Sequence, residues 1–250
     1  MNLEKLSDDD ILAYRICDLP LTTATAWVEE CIHQLYRELE DRRIPFLPAV
    51  YFADEWLTPD KEPVIGIPFY LSHPRLIRLE RNMMYDAEGG TKSSCMKLLR
   101  HEAGHALNYS YCFYRKRKWQ KTFGLMSDPY EDSYRFQAYS KNYVQHLEDY
   151  YAQCHPDEDF AETFAVWLDP ASRWQERYKD WGAFAKLRYV DSLMKSIADT
   201  PPLHSKGKKY WEARKLRVTL KNYYRRKQKH YAEDLPDFHD SYLREIFREL

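Results

Sequence analysis

The amino-acid sequence predicts an α+β domain whose C-terminal half is mostly helical. Apolar residues recur at helical spacing before and after one β-branched, aromatic stretch, and no internal repeat interrupts that order. Hydrophobic residues make up 44% and aromatics 16% of the 250 residues, which supplies a sizeable core and excludes a disordered chain. The 38 basic and 39 acidic residues nearly cancel, so overall charge selects no partner and any charged surface must be local.

Taken in order, Ser7 to Asp10 reads as a capping box opening a short helix that stops near Leu19-Pro20. Trp27, Val28, Cys31, Ile32, Leu35, Tyr36 and Leu39 then mark an amphipathic helix, broken by Pro45 and Pro48. From there to about Leu79 the chain reads as β-rich, with Val50-Tyr51-Phe52 and Val64 to Leu71 as strand candidates. Pro68 cannot donate to a ladder, which places the second candidate at a sheet edge. Such an edge is either protected or pairs with an extended peptide. After Gly89-Gly90, Thr91, Ser93 or Ser94 can cap a helix carrying Met96, Leu98, Leu99, Ala103, Ala106 and Leu107. The tyrosine-rich stretch from Asp128 to Gln153 reads as partly helical. A helix from Pro156 to about Leu168 follows, then another from about Trp181 to Ile197. Pro201-Pro202 separates a domain over residues 1–200 from a basic, aromatic-rich helical extension over 201–250.

The chemistry concentrates in His101-Glu102-Ala103-Gly104-His105. On a helix, residues four apart share a face, so both imidazoles can address one metal ion while Glu102 reaches a water on it. A catalytic zinc needs a third protein ligand. The metzincin form of this motif is excluded, since Asn108 and Tyr111 stand where its Gly and His would be. The strongest source is His155-Pro-Asp-Glu-Asp-Phe-Ala-Glu-Thr-Phe-Ala165. Pro156 suits a first helical turn, and Asp157, Glu158 and Asp159 suit its positive end. Glu162, between Phe160 and Phe164 and beside two alanines, faces a core where an unpaired carboxylate is costly. Glu158 as metal ligand and Glu162 as hydrogen-bond acceptor from His101 or His105 would resolve that cost, with Glu162 itself the rival ligand.

These two segments, His101-Glu-x-x-His105 and Glu158-x-x-x-Glu162-x-Phe164, resemble the gluzincin class of zinc metallopeptidases. More narrowly, Leu99 to Leu107 and His155 to Ala165 are similar to the putative zinc-binding metallopeptidases of bacteria. The likeness runs from the strand region to about Met194 and leaves out the tail. It implies a zincin-like domain with zinc as cofactor, a protein or peptide as substrate, and Glu102 as general base. An acidic residue four after the ligand Glu supports a ligand His in many gluzincins, and Glu162 occupies that place. Tyr151, seven residues before Glu158 and with Tyr150 beside it, has a spacing that resembles that of the oxyanion-binding tyrosine in lethal-factor-like gluzincins. The 53 residues from His105 to Glu158 exceed the spacing of the compact thermolysin type, so the tyrosine-rich stretch must be accommodated between them.

From Lys206 to Lys229, seven lysines and four arginines face Glu212 alone, with Tyr210, Trp211, Tyr223 and Tyr224 among them. Cations with rings suit nucleic acid, an acidic protein or lipid headgroups, and equally a solvated helix whose rings pack on the main domain. A nucleic-acid-associated binding protein with the zinc fold as scaffold is therefore the alternative to a peptidase. Residues 234–250 read as a short docking helix. Cys17, Cys31, Cys95, Cys112 and Cys154 form neither a disulfide framework nor a C-x-x-C pair, which points to the reducing cytoplasm. No signal peptide or membrane-spanning stretch is expected.

Overall fold

In the computed structural model, which describes residues 2–21, 24–130 and 134–231, Ser7 caps α1 (Asp8–Ala13) by a reciprocal capping box with Asp10. The amphipathic pattern that follows forms α2 (Ala26–Asp41), with Val28, Cys31, Leu35 and Leu39 buried along one stripe.

The chain then builds a two-stranded parallel sheet from β1 (Ala49–Ala53) and β2 (Val64–Pro68), in register from Ala49 opposite Val64 to Ala53 opposite Pro68. β2 is shorter than expected: after Pro68 the backbone turns into a 3-10 turn over Phe69–Ser72. The β2 side away from β1 is also occupied. The connection between the strands folds back so that Leu57 and Gly66 exchange both backbone hydrogen bonds, at 3.2 and 2.7 Å. A Cβ at Gly66 would lie 2.5 Å from the Leu57 side chain and 2.9 Å from Ala53 Cβ, so this close approach requires glycine.

Where the sequence reads as β-rich up to Leu79, the structure instead forms a helix, α3 (Pro74–Met84). Pro74 is pre-set for the first turn, and His73 Nδ1 accepts the Arg75 N–H at 3.0 Å as N-cap. Leu76, Ile77, Leu79 and Glu80 turn inward, a helical rather than an alternating stripe. Tyr85 ends the helix in the left-handed region at φ 66°.

Thr91 and Ser94 cap the long α4 (Lys92–Ser110), and α5 (Arg117–Phe123) follows. The tyrosine-rich stretch is not helical over its described residues except for a 3-10 turn at Tyr151–Gln153. It crosses to α6 (Pro156–Leu168), then α7 (Trp174–Arg177) and α8 (Ala183–Ser196). α4 is sandwiched between α2 and α6, and α8 backs α6. α4 and α6 meet backbone to backbone at Gly104, where a Cβ would stand 2.8 Å from Ala161 Cα. Arg100 fixes the rotation of α4: its guanidinium grips Glu38 of α2 at 2.7 and 2.8 Å and reaches Asp169, beyond the end of α6, at 3.2 Å.

The C-terminal extension folds onto this body. Ala213, Leu220 and Tyr224 belong to the same buried core as α1–α4. α9 (Leu220–Lys229) packs on α1 and α3. Tyr223 donates its hydroxyl to Asp54 O at 3.0 Å, and Lys227 lies 3.1 Å from Glu80 and 3.2 Å from Glu55. The docking helix expected over 234–250 lies outside the described residues. Among those described, no helix is long and apolar enough to cross a membrane.

Candidate metal centre

The contact between α4 and α6 carries every group of the predicted site except Tyr151. His101 and His105, one turn apart on α4, bring their Nε2 atoms within 3.1 Å of each other. Glu158, in the first turn of α6, places Oε2 3.0 Å from His101 Nε2 and 3.2 Å from His105 Nε2. All three side chains are buried. They form the one His/Cys/Asp/Glu group among the described residues with the proximity to hold a metal ion.

The far side of each imidazole is fixed by a carboxylate. His101 Nδ1 lies 2.8 Å from Glu162 Oε1, whose Oε2 accepts the Leu147 N–H at 2.9 Å. His105 Nδ1 lies 2.9 Å from Asp157 Oδ2. Asp157 also accepts from Tyr109 Oη at 2.5 Å and from Asn108 Nδ2 at 2.7 Å, and Asn108 in turn accepts the Tyr114 N–H at 2.9 Å. A carboxylate accepts only, so each Nδ1 must carry a proton, and a neutral imidazole then presents its lone pair at Nε2. Two nitrogen lone pairs and a carboxylate oxygen therefore converge on one point, an arrangement that only protons or a cation can reconcile. Tetrahedral zinc with nitrogen and oxygen ligands at about 2.0–2.1 Å separates its donors by roughly 3.3 Å, close to the triangle seen here. The donor set and its spacing fit that group.

The electrostatics agree with this geometry. Burial disfavours charge on both histidines, yet Glu158 and Glu162 outweigh it at His101 and hold its pKa up to about 10. At His105 burial is likewise overcome, by Asp157 and Glu158. Burial would raise Glu158, but the two imidazoles keep its carboxyl well below the usual range. Glu102 behaves in the opposite way: burial raises its pKa, only partly offset by His101 and His105. Its Oε2 is buried without a partner, and Thr58 Oγ1 anchors its backbone carbonyl at 3.1 Å.

Tyr151 stands beside this cluster, its ring 5.8 Å from that of His101. Its hydroxyl pairs with Tyr130 Oη at 2.6 Å, and Tyr130 donates to Glu158 Oε1 at 3.2 Å. His155 turns away from the centre. Its Nδ1 caps α6 by accepting the Asp157 N–H at 3.2 Å, and its Nε2 donates to Asp128 O at 3.1 Å. His146 donates to Lys97 O at 2.9 Å, and His33 is exposed on α2.

Sequence reasoning missed Asp157 as the His105 partner, because an acidic residue in a first helical turn is already explained by the helix dipole. The available signal was its place directly before Glu158, one helical step round the same end of α6. Tyr130 and Thr58 carry no sequence signal, since both reach the centre from irregular segments. No family model, curated protein or solved structure matches this chain.

Proposed function

We propose that this protein is a zinc-dependent peptidase of zincin-like fold, in which His101, His105 and Glu158 hold the ion and Glu102 is the general base. The observation that carries this reading is the convergence of three ligand atoms at 3.0–3.2 Å with both imidazole Nδ1 atoms locked by carboxylates. Zinc bound there supplies a Lewis acid and a water of pKa near 7. Glu102, with a raised pKa and an unpartnered oxygen, takes the proton of the attacking water and returns it to the leaving nitrogen. Tyr151, whose hydroxyl pairs with Tyr130 beside Glu158, would turn its O–H from Tyr130 to the developing oxyanion. An extended peptide finds its backbone partner in Trp56 and Thr58 rather than in β2. Leu57 spends its N–H and C=O on Gly66, and the backbone groups of its two neighbours form no backbone hydrogen bond among the described residues.

The test combines metal analysis with Glu102→Gln. Protein purified without chelator should contain about one zinc per chain. The Glu102→Gln variant should keep that zinc while hydrolysis of a quenched fluorescent peptide library falls by roughly 10²–10⁴. Wild-type protein that takes up no zinc would overturn the metal assignment. A Glu102→Gln variant of undiminished activity would overturn the role of that carboxylate.

A further inference from the structure

The basic run from Lys206 to Lys229 divides into two halves of different character. In α9 the rings and one cation are consumed by the fold: Tyr224 is buried, Tyr223 is bonded to Asp54, and Lys227 is paired with Glu80 and Glu55. The extended segment before it does the reverse. Tyr210 and Trp211 are 43% and 58% exposed, large values for such residues. Lys206, Lys208 and Lys209 are exposed beside them and form no ion pair among the described residues, Lys209 lying over the Tyr51 ring 5.7 Å from its centroid, while Glu212 is taken by Lys215 at 2.6 Å.

This display is held in place. Tyr51 donates its hydroxyl to Tyr210 O at 2.9 Å, and Glu212 forms an antiparallel bridge with Ala53 of β1. The Lys208 N–H is bonded to Glu62 at 2.7 Å. Between these anchors Trp211 is kept at φ 46°, in the left-handed region that a bulky side chain adopts only under constraint. The core gains nothing from an indole there, because it points to solvent.

We propose that residues 206–211 form a binding surface for single-stranded nucleic acid, with Tyr210 and Trp211 stacking on bases and the three lysines meeting phosphates. Rings held 5.9 Å apart on an anchored strand, with cations at one- and two-residue steps, are the elements of a stacking platform beside a backbone track. The segment presents no helix or paired ribbon to enter a duplex groove. A membrane is the poorer match: His204 to Lys209 are polar or glycine, so no continuous apolar face exists to bury in lipid. The proposal does not rest on the metal reading.

The test uses the full chain and fluorescein-labelled 20-nucleotide oligo(U) and oligo(dT), read by anisotropy. Three phosphate contacts on a single strand give a log–log salt slope of roughly −2, so affinity should fall about 20-fold between 50 and 200 mM salt. Trp211→Ala should weaken binding by about 5- to 150-fold, the range for one lost base stack. Lys206→Glu/Lys208→Glu/Lys209→Glu should abolish it, while Lys221→Glu/Arg225→Glu on α9 should weaken it far less. All these side chains are exposed, and an unchanged melting temperature verifies the fold of each variant. Failure to bind either oligonucleotide at about 100 μM, or binding indifferent to Trp211→Ala, would overturn the proposal. So would phosphatidylserine vesicles binding the chain while the oligonucleotides do not.

Discussion

Gly104→Ala is the substitution whose sign separates the site described here from an ordinary helix. Replacing glycine by alanine inside an exposed helix gains about 1 kcal/mol in propensity. Gly104, however, lies between the two histidines at the point where α4 touches α6. A Cβ there would stand 2.8 Å from Ala161 Cα and 3.1 Å from Ala161 O. Both are backbone atoms, so no side-chain rotation relieves the contact and the helices must separate. Overpacking of this kind costs about 1–3 kcal/mol, and a backbone clash belongs in the upper part of that range. The net loss is then about 1–2 kcal/mol, which for a chain of this size lowers the melting temperature by about 2–8 °C. Separation also pulls Glu158 and Glu162, which flank Ala161 on α6, away from the histidines. Loosening the carboxylate support of the histidines in this way should lower zinc affinity by about 10- to 100-fold. Scanning calorimetry of metal-free protein measures the first effect, and competition with a chromophoric chelator the second. A melting temperature that rises with zinc affinity intact would refute the close helix contact and the site geometry built on it.

Other perturbations probe the shell and the scaffold. Asp157→Asn and Glu162→Gln should each lower zinc affinity by about 10- to 100-fold, well short of the loss on removing His101, His105 or Glu158, as the same chelator competition would show. His101 has a pKa raised from 6.5 to about 10 in the metal-free fold, so its stabilising contribution is complete below pH 6.5 and is lost as pH rises towards 10. A zinc-loaded form would carry no such proton, and the gap between loaded and metal-free melting temperatures should widen steadily from pH 6.5 to 10. Lys227→Met leaves Glu80, 2% exposed, buried without its cation. Loss of one partner of such a pair costs about 3–5 kcal/mol, and Glu80, whose pKa burial already raises, can protonate to limit the loss to about 3. Urea unfolding would measure this, and adding Glu80→Gln should restore part of it.

The elements that could be read from the sequence are those whose signal is local. The α2 stripe, the Thr91 cap, the α4 motif and the Pro156 start of α6 each lie within a few residues of their evidence. The sequence hides α3 because its segment follows a β-branched run and its cap is His73, a residue outside the usual capping set. The centre was legible for the same local reason: His101 with His105, and Glu158 with Glu162, are one-turn pairs. What joins the two pairs is tertiary. Gly104 against Ala161 sets the distance between the helices, and Arg100 gripping Glu38 sets the rotation of α4. Neither contact leaves a pattern in one chain. The extension was split at Pro201-Pro202 on composition, yet Leu220 and Tyr224 complete the core beneath α1 and α3. Composition reports what a segment is made of and not which surface its few apolar residues cover.

Charge balance at the centre bears on how such a site could fold before an ion fills it. Asp157, Glu158 and Glu162 surround two buried imidazoles, and with both rings neutral that cluster would carry uncompensated negative charge in a medium that penalises it severely. Protonating both imidazoles adds two positive charges, which is what one divalent ion would add in their place. Metal-free and metal-loaded centres are therefore close to isoelectric, and α4 and α6 can dock in either state without exposing a bare carboxylate cluster. Ion binding would then displace protons from Nε2, because the Nδ1 positions are held by Glu162 and Asp157. Below the histidine pKa values, zinc affinity should rise by nearly two decades per pH unit. A slope near one would mean that a single imidazole is protonated in the metal-free protein, its Nε2–H shared with the lone pair of the other ring 3.1 Å away, and a slope of zero would refute the exchange of protons for the ion.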